Sequence, residues 1–291
     1  MRLLTFTEAG RTRIGVVVGD EIVDLAAAAP DLPTEMARFL AAGRAALDAA
    51  RSAAEGAQRR LALADVRFEA PVLCPSKFLG IGLNYTDHIE EMGRELPEFP
   101  LVFNKQTSCV SAHRDPIHVP RASTAVDYEG ELAFVIGKRC RHVPEDRAHE
   151  VIGGYMIVND VSVRDWQARS PTMTLGKSWD THGPCGPWLV TPDEIGDPHS
   201  LGLETYVDGD LRQRSNTKYL LFNCFNLVAT LSTVSTLEPG DVVTTGTPSG
   251  VGMAMSPPGF LKSGQTVRIE IDRIGTLENP VIEEPADTVR F

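Results

Sequence analysis

The chain has 291 residues, of which 42% are hydrophobic and 23% charged, and its 39 acidic residues outnumber 28 basic ones. This length and composition are typical of a globular protein with a buried core and exclude the disordered class. The acidic balance offers no basic surface for nucleic acid, and no concentrated run of lysine and arginine favours an anionic membrane.

The sequence predicts neither a signal peptide nor a membrane span. Its first residues become polar too early for a signal peptide, and no window approaches the ~20 apolar residues of a membrane span. The five cysteines are scattered, without a C-x-x-C pair. This pattern predicts free thiols and disfavours a disulfide framework or a zinc site. We therefore expect a cytoplasmic protein.

The first part of the chain predicts short strands followed by helix. Residues 13–18 and 21–25 are rich in β-branched side chains and flank Gly19-Asp20, which is a two-residue hairpin signal. Residues 33–64 are rich in alanine, leucine, arginine and glutamate, which are good helix formers. The N-terminal segment is therefore predicted to be a small α/β unit.

Two prolines, Pro71 and Pro75, mark a change of sequence character near residue 70. After them, the chain consists of β-rich segments separated by glycine and proline. Such a change is typical of a domain boundary. We predict a small N-terminal domain over residues 1–70 and a larger domain over residues 71–291.

The larger domain is predicted to be mostly strands with a few helices. Buried or half-buried strands are predicted over residues 78–82, 130–136, 155–161, 203–207, 241–245 and 267–271. Helices are predicted over residues 84–92, with Thr86 or Asp87 as N-cap, and over residues 223–235. The fold class is therefore β-dominated α+β, and the chain does not alternate strand and helix as a βαβ protein does.

Glu129 and Glu131 stand two apart at the head of an apolar strand, with Gly130 between them. The two-residue period of a strand places both carboxylates on one face, and the apolar run that follows predicts burial on both sides. Two like charges in such a place are costly unless a cation neutralises them. An exposed strand start with two solvated acids is the alternative, and spacing alone leaves both interpretations open.

Asp160 adds a third carboxylate in another apolar strand. Three carboxylates with no histidine or cysteine companion are typical of a hard cation with oxygen ligands, Mg²⁺ or Mn²⁺, with Ca²⁺ as an alternative. Three protein ligands would leave about three of six octahedral positions for water and substrate. That is the arrangement of a catalytic metal site.

Six motifs, taken together, resemble the fumarylacetoacetate hydrolase (FAH) family in its short bacterial form. They occur in family order and cover most of residues 75–280: GLNYTDH (82–88), DYEGELA (127–133), NDVSVRDWQ (159–167), GKSWD (176–180), GPWLVT (186–191) and PGDVVTTGTPSGVG (239–252). The resemblance implies an FAH-type mixed β-roll catalytic domain, a homodimer, and Mg²⁺- or Mn²⁺-dependent action on 2-oxo or 2,4-dioxo acids. It also supports Glu129, Glu131 and Asp160 as the metal ligands.

His88 and Glu91 are three residues apart, so on a helix they share a face and can form a hydrogen bond. A carboxylate on one imidazole nitrogen makes the other a better base, although a surface histidine beside acidic residues has the same pattern. The resemblance implies that this pair activates water. Lys177, between glycine and serine, is predicted to stabilise developing negative charge or deliver a proton, with a surface lysine as the alternative.

Four further residues are predicted to bind the substrate. Arg164 and Gln167 follow Asp160 by four and seven, so a helix beginning there would project both from one face, and family members use such positions for substrate oxygens. Thr247 lies in a glycine-rich loop whose N–H groups and hydroxyl are suited to a carboxylate. Tyr85, in the first family motif, completes this set.

The resemblance and the candidate residues predict a hydrolase that cleaves a C–C bond of an acylpyruvate or another 2,4-dioxo acid, in aromatic or sugar-acid catabolism. Decarboxylation of an oxaloacetate-type 2-oxo diacid, or isomerisation of a 2-hydroxyhepta-2,4-diene-1,7-dioate, would use the same electron sink without the water. A non-enzymatic module that binds metal or oxo acids is a third hypothesis, and a His88–Glu91 pair argues against it. The expected partner is a small oxo acid.

Overall fold

The chain is built mainly from strands over residues 1–288, the residues that the computed structural model describes. In chain order these strands are β1 (Arg2–Glu8), β2 (Arg11–Val18), β3 (Glu21–Asp24), β4 (Leu61–Ala62), β5 (Arg67–Phe68), β6 (Phe78–Gly82), β7 (Leu101–Lys105), β8 (Val110–Ser111), β9 (Ile117–Val119), β10 (Val126–Asp127), β11 (Gly130–Ile136), β12 (Ile152–Asn159), β13 (Ser162–Val163), β14 (Gly183–Val190), β15 (Gly202–Val207), β16 (Asp210–Asn216), β17 (Val242–Thr244), β18 (Thr266–Ile271) and β19 (Gly275–Glu283).

These strands form one large mixed sheet and two smaller ones. The large sheet runs in the order β4-β3-β2-β1-β14-β12-β11-β17-β6-β7, with β5 beside β1 and β8 beside β14. A five-stranded sheet has the order β16-β15-β18-β19-β9, and β10 pairs with β13. Parallel pairs such as β17 with β6 occur beside antiparallel ones such as β11 with β17. This architecture confirms the predicted β-dominated α+β class.

The helices are fewer than the strands and mostly short. They are α1 (Leu25–Ala28), α2 (Met36–Ala41), α3 (Gly43–Gly56), α4 (Thr86–Glu91), α5 (Arg164–Gln167), α6 (Thr174–Lys177), α7 (Pro192–Ile195) and α8 (Cys224–Val234). Within the described residues, no helix combines the length and the apolar character that a membrane crossing requires. The short helices α4, α5 and α6 become important below, because they carry candidate site residues.

Strand β11 lies in the interior of the molecule, and all seven of its residues are buried. On one face, Leu132 and Phe134 join a core with α8 and the five-stranded sheet. On the other face, Ala133 and Val135 join a second core that includes residues of α2 and α3. An uninterrupted apolar run suits a strand that is covered on both sides. The predicted double burial of this strand is therefore confirmed.

The N-terminal segment joins the same large sheet as the rest of the chain. Strand β1 pairs antiparallel with β2 on one side and with β14 on the other, where Leu3 lies opposite Leu189. The predicted hairpin is formed by β2 and β3, and Gly19 at its turn has a φ of +61°. Backbone hydrogen bonds of this sheet therefore join residues on the two sides of the predicted boundary near residue 70. The two-domain division stays a prediction.

The helical prediction for residues 33–64 was too long. Two helices form, and Gly43, the first residue of the second, has a φ of +69°, a left-handed conformation that interrupts a continuous helix. After Gly56 the chain turns back, and residues 61–62 pair with β3 at the end of the large sheet. Helix propensity did not reveal this return, because strand pairing depends on residues far away in the sequence.

Two boundaries near the site also differ from the prediction. The helix predicted over 84–92 begins at Thr86, so Tyr85 holds the N-cap position without a side-chain hydrogen bond. The strand predicted over 155–161 ends at Asn159, because the N–H of Asp160 turns to donate to the carbonyl of Glu129 at 2.9 Å. Asp160 therefore lies just beyond the strand end rather than inside the strand.

Candidate metal centre and catalytic cavity

Three buried carboxylates meet at the ends of two paired strands. Glu129 directly precedes β11, Glu131 is its second residue, and Asp160 directly follows β12. These strands pair antiparallel with Gly130 opposite Asn159, which brings Asp160 beside the two glutamates. One carboxylate oxygen from each residue lies within 4.8 Å of the others. The structure therefore brings the predicted metal-ligand set together.

Basic side chains from three different elements pair with two of these acids. The Nζ of Lys177 donates to Glu129 Oε2 at 2.7 Å and to Asp160 Oδ2 at 2.8 Å. Lys105 Nζ donates to Asp160 Oδ1 at 2.7 Å, and Arg164 Nη1 lies 2.6 Å from Glu129 Oε1. Burial by itself would raise the pKa of Glu129, but the charges of Lys177 and Arg164 outweigh it and lower that pKa to about 2.

Glu131 has no such partner. In residues 1–288 no basic side chain forms an ion pair with it, and its Oε2 accepts the N–H of Gly246 at 2.8 Å. Burial, with the neighbouring charges of Asp160 and Glu129, raises its pKa well above the ordinary value. A cation at this point would neutralise the carboxylate, and three buried oxygen donors suit a hard divalent ion. The residues therefore fit Mg²⁺ or Mn²⁺, held by Glu129, Glu131 and Asp160.

Lys105 is a central residue that sequence reasoning missed. It ends β7, is only 3% exposed, and donates to the backbone carbonyl groups of Lys177 and His182 as well as to Asp160. Its side chain lies on the same face of β7 as buried Phe103, two residues earlier. A lysine two residues after an inward-facing aromatic residue lies on the inward face of the strand. This spacing is the sequence signal that could have distinguished Lys105 from a surface lysine.

Asp127 is a second residue that no sequence prediction assigned to the site. It is fully buried and accepts a hydrogen bond from Arg164 Nε at 2.9 Å, and Arg164 Nη2 lies 2.8 Å from the same carboxylate oxygen as an ion pair. It also accepts the N–H groups of Gly252 (2.7 Å) and Met253 (2.9 Å). One carboxylate therefore fixes both the guanidinium of Arg164 and the loop that follows the glycine-rich segment. Asp127 holds other residues in position and does not face the cavity itself.

His88 and Glu91 form the predicted pair on α4. His88 Nδ1 lies 2.9 Å from Glu91 Oε2, while Glu91 Oε1 accepts the N–H of Gly250 at 2.8 Å. With Nδ1 bound to a carboxylate, the tautomer is set so that Nε2 is free to accept a proton. Over residues 1–288, Nε2 has no hydrogen-bond partner, and His88 lines the cavity that Glu129 also lines.

Three of the four predicted substrate-binding residues line the cavity, and the fourth, Tyr85, does not. Gln167 lines the cavity, and its Oε1 accepts from Arg164 Nη1 at 3.0 Å. Thr247 also lines it, but its hydroxyl donates to the carbonyl of Gly130 at 3.1 Å, so that proton is already used. Tyr85 is fully buried and does not line the cavity. Burial, and then the charge of Glu131, raise the pKa of Tyr85.

One cavity of about 640 Å³ collects most of these groups. Six of the predicted residues line it: His88, Glu129, Arg164, Gln167, Lys177 and Thr247. Glu131, Asp160, Glu91 and Tyr85 do not line it, although the first three contact residues that do. A cavity of this size is suitable for a small molecule.

Comparison with known proteins gives matches over nearly the whole chain. Residues 77–282 match the family model described as fumarylacetoacetate (FAA) hydrolase C-terminal. A mitochondrial oxaloacetate tautomerase of Xenopus laevis is 44% identical over 288 residues, covering 97% of this chain and 90% of that protein. These matches extend the six-motif resemblance to nearly the full length.

The structure also superposes on solved structures of similar proteins. The fumarylacetoacetate hydrolase of Exiguobacterium antarcticum superposes with a TM-score of 0.85 at 36% identity, covering 98% of this chain and 100% of that chain. The maleylpyruvate hydrolase of Sphingobium sp. SYK-6, solved with a manganese(II) ion and pyruvate, has a TM-score of 0.83 at 34% identity, with the same coverage. The relatives include hydrolases and a tautomerase, and the chain belongs to the fumarylacetoacetate hydrolase family.

Proposed function

We propose that this protein is a metal-dependent hydrolase that cleaves a C–C bond of an acylpyruvate or related 2,4-dioxo acid. The observation that carries the proposal is the His88–Glu91 hydrogen bond of 2.9 Å, placed on the cavity that Glu129 and Lys177 also line. Simple binding of an oxo acid does not require an oriented base. A bound Mg²⁺ or Mn²⁺ would supply Lewis-acid polarisation of the 2-oxo acid end of the substrate.

His88 acts as the general base in this proposal. Its Nε2 accepts a proton from water, and Glu91 stabilises the resulting imidazolium through Nδ1. The water oxygen bonds to C4 of the substrate, and the C3–C4 bond breaks with its electron pair moving to the pyruvate half. A proton then adds to C3, so that one water and one acylpyruvate become one carboxylic acid and one pyruvate.

Lys177, Arg164 and Gln167 bind and stabilise the substrate. Lys177 Nζ is buried beside Glu129 and Asp160, where its positive charge stabilises the negative charge that develops on the pyruvate half. Arg164 is held by Asp127 and Glu129, and it orients Gln167 through the 3.0 Å hydrogen bond between them. These bonds hold both side chains in position at the cavity before a substrate binds.

Tautomerisation of a 2-oxo diacid is the second candidate, supported by the 44% identity to the oxaloacetate tautomerase of Xenopus laevis. His88 would then move a proton between carbon and oxygen of the substrate, and no water would be consumed. Decarboxylation of an oxaloacetate-type acid and isomerisation of a dienedioate would also be independent of water. Of these reactions, only hydrolysis releases pyruvate and a second acid from a dioxo acid. This release therefore distinguishes hydrolysis from the other reactions.

The decisive experiment measures pyruvate release from acylpyruvates, and enol–keto conversion and decarboxylation of oxaloacetate, with Mn²⁺ and with EDTA. We expect Mn²⁺-dependent pyruvate release that falls by roughly 10²- to 10⁴-fold in His88→Ala, because general base catalysis contributes that much. Glu90→Gln, an exposed neighbour on α4, is the matched control and should retain activity. Intact pyruvate release in His88→Ala would refute the hydrolytic assignment, and enol–keto conversion without release would favour the tautomerase.

We also propose that the protein works as a cytoplasmic homodimer. Strand β7 ends the path of the large sheet, and three exposed apolar side chains, Leu96, Phe99 and Val102, lie on it or just before it. An edge strand with exposed apolar residues is suited to self-association. Light scattering coupled to size-exclusion chromatography would give the mass of the assembly, and a monomer at micromolar concentration would contradict the dimer.

A further inference from the structure

Gln213 is a buried polar residue of the five-stranded sheet, and it does not line the catalytic cavity. Among the seven residues of β16, all within the described part of the chain, it is the one that is buried, with 1% of its surface exposed. A buried amide is costly unless it forms hydrogen bonds. The hydrogen-bond partners of Gln213 therefore indicate its role.

The side-chain amide of Gln213 joins two segments that adjoin the metal ligands. Its Oε1 accepts the N–H of Gly130 at 3.0 Å. Its Nε2 donates to the hydroxyl of Thr247 at 2.8 Å and to the carbonyl of Pro248 at 2.9 Å. The amide group thus uses both of its donors and its acceptor, so that no apolar or charged side chain of similar size could replace it.

Three of these groups form a closed ring of hydrogen bonds. Gly130 donates to Gln213, Gln213 donates to Thr247, and the hydroxyl of Thr247 donates to the carbonyl of Gly130 at 3.1 Å. Both backbone polar groups of Gly130, which stands between Glu129 and Glu131, are held in this way. Hydrogen bonds in such a network strengthen one another, so breaking one of them weakens the others.

The ring takes the place of a paired strand. Strand β17 pairs with β11 over residues 133–135, so Gly130 lies beyond the paired part on that side. Buried backbone N–H and C=O groups need partners, and Gln213 and Thr247 provide them for Gly130. A Cβ at Gly130 would overlap the hydroxyl oxygen of Thr205, the residue opposite Gln213 on β15. Glycine therefore allows the five-stranded sheet to approach closely enough for the ring to form.

Gln213 also holds the loop that binds the carboxylate of Glu131. The N–H of Gly246 donates to Glu131 Oε2 at 2.8 Å, and the next two residues, Thr247 and Pro248, are the ones that accept from Gln213. One buried side chain is therefore bonded on one side to the backbone between two ligands. On the other side it is bonded to the loop that contacts the second of them.

We propose that Gln213 is a positioning residue of the metal centre, which holds the two glutamate ligands in the arrangement that binds the ion. This inference rests on the proposed metal site, because it takes the carboxylates of Glu129, Glu131 and Asp160 to be the ligands. Gln213 acts through the backbone of Gly130 and through the loop, and it contacts no ligand carboxylate itself. Side chains that hold metal ligands in position commonly change metal affinity by about 10- to 100-fold when they are replaced.

The test measures the Kd for Mn²⁺ on the full-length, metal-free protein, from the electron paramagnetic resonance signal of free Mn²⁺. We expect Gln213→Met, which fills similar space without hydrogen bonds, to raise the Kd by about 10- to 100-fold. Thr247→Val breaks the same ring at another point and should also raise the Kd. The double variant should bind Mn²⁺ about as weakly as the weaker single variant, because the effects of residues in one network do not add.

Gln265→Met is the matched control. The amide of Gln265 also joins two segments, since its Oε1 accepts the N–H of Lys262 at 2.8 Å and its Nε2 donates to Asp208 at 3.0 Å. These partners are not bonded to the metal ligands, so Gln265→Met should keep the wild-type Kd. The comparison separates the loss of a bonded glutamine in general from the loss of this one.

Thermal unfolding of the same metal-free samples separates positioning from stability. A Gln213→Met variant that unfolds at a lower temperature but keeps the wild-type Kd would show that Gln213 only stabilises the fold, and would overturn the inference. If Gln213→Met does not fold, the Kd of Thr247→Val decides in the same way. Additive effects in the double variant would overturn the ring as a unit.

The outcome for the metal is distinct from the outcome for the reaction. Weaker Mn²⁺ binding in the ring variants, together with no pyruvate release by the wild type, would support the role of Gln213 and refute the hydrolytic assignment. Pyruvate release by the wild type with an unchanged Kd in both ring variants would do the reverse. A wild type that binds no Mn²⁺ would overturn both the metal site and the role of Gln213.

Discussion

Lys105, on β7, and Lys177, on α6, both contact the carboxylate cluster, and they bind different oxygen atoms of it. Lys177 bridges Glu129 and Asp160, while Lys105 occupies the second oxygen of Asp160 and two backbone carbonyl groups. The first contacts both acids from within the cavity, and the second does not line it. Lys105 is therefore a positioning residue, and Lys177 is the one placed to contact a substrate.

Replacing Lys105 with methionine should destabilise the protein substantially. The change leaves the buried Asp160 with one basic partner fewer and two backbone carbonyl groups without this donor. Removing one partner of a buried ion pair costs about 3–5 kcal/mol in the free energy of unfolding. Urea denaturation measures this loss, with Lys262→Met, at an exposed position, as the control. Equal midpoints for the two variants would contradict a structural role of Lys105.

At the scale of single residues, the charge and spacing of side chains predicted the candidate site. Hydrogen-bond partners that are distant in sequence could not be predicted in this way. The acids Glu129, Glu131 and Asp160 were predicted together because carboxylates in apolar strands are costly without a neutralising cation, and the family resemblance supported the same set. The His88–Glu91 bond followed from helical spacing. Asp127 and Lys105 were missed because an acid or a lysine at a strand end looks like an ordinary surface residue, and only tertiary structure shows its burial.

Asp127 connects two elements that are distant in sequence, the helix that begins at Arg164 and the loop at residues 250–255. Its carboxylate accepts from the guanidinium of Arg164 and from the N–H groups of Gly252 and Met253. The same loop is tied to α4, because Glu91 accepts the N–H of Gly250. The base, the arginine and the loop are therefore held together through two carboxylates.

Asp127→Asn should loosen this loop, because a neutral amide is a weaker acceptor than a carboxylate. Hydrogen bonds to charged groups contribute about 1.5–3 kcal/mol, so the amides of Gly252 and Met253 should exchange with solvent roughly 10- to 100-fold faster. Hydrogen–deuterium exchange with fragment analysis gives the rates. Asp146→Asn, at an exposed aspartate, serves as the comparison. Unchanged exchange at both amides would show that Asp127 does not hold the loop.

At the scale of elements, sequence patterns predicted which segments are strands better than which strands are neighbours. The prediction for β11 was accurate, because its apolar run is long and its burial is complete. The parallel pairs β6 with β17 and β9 with β19 join segments more than 150 residues apart. Period-two alternation defines the face of a strand but not its partner, so such pairings are invisible to it.

At the scale of the whole molecule, the carboxylate of Glu131, which forms no ion pair with a basic side chain in residues 1–288, links stability to the metal. We expect Mn²⁺ at about one hundred times its Kd to stabilise the wild type by about 2.7 kcal/mol. Glu131→Gln should stabilise the metal-free protein by about 1–3 kcal/mol, because it removes a buried charge without a cationic partner, and should lose the response to Mn²⁺.

Thermal unfolding with Mn²⁺ and with EDTA measures both effects. Glu95→Gln changes an exposed glutamate and should show the same Mn²⁺-dependent shift as the wild type. A Glu131→Gln variant that is less stable in EDTA, or that keeps the full Mn²⁺ shift, would contradict the assignment of Glu131 as a ligand.

The pairing of β1 with β14 also predicts the effect of removing the N-terminal segment. A protein that started at residue 71 would lack β1 and leave one side of β14 without its partner. Unpaired N–H and C=O groups along a strand recruit other chains, so such a fragment would tend to aggregate even if every catalytic residue were present. The N-terminal segment therefore also acts as a cover for the sheet that carries the site.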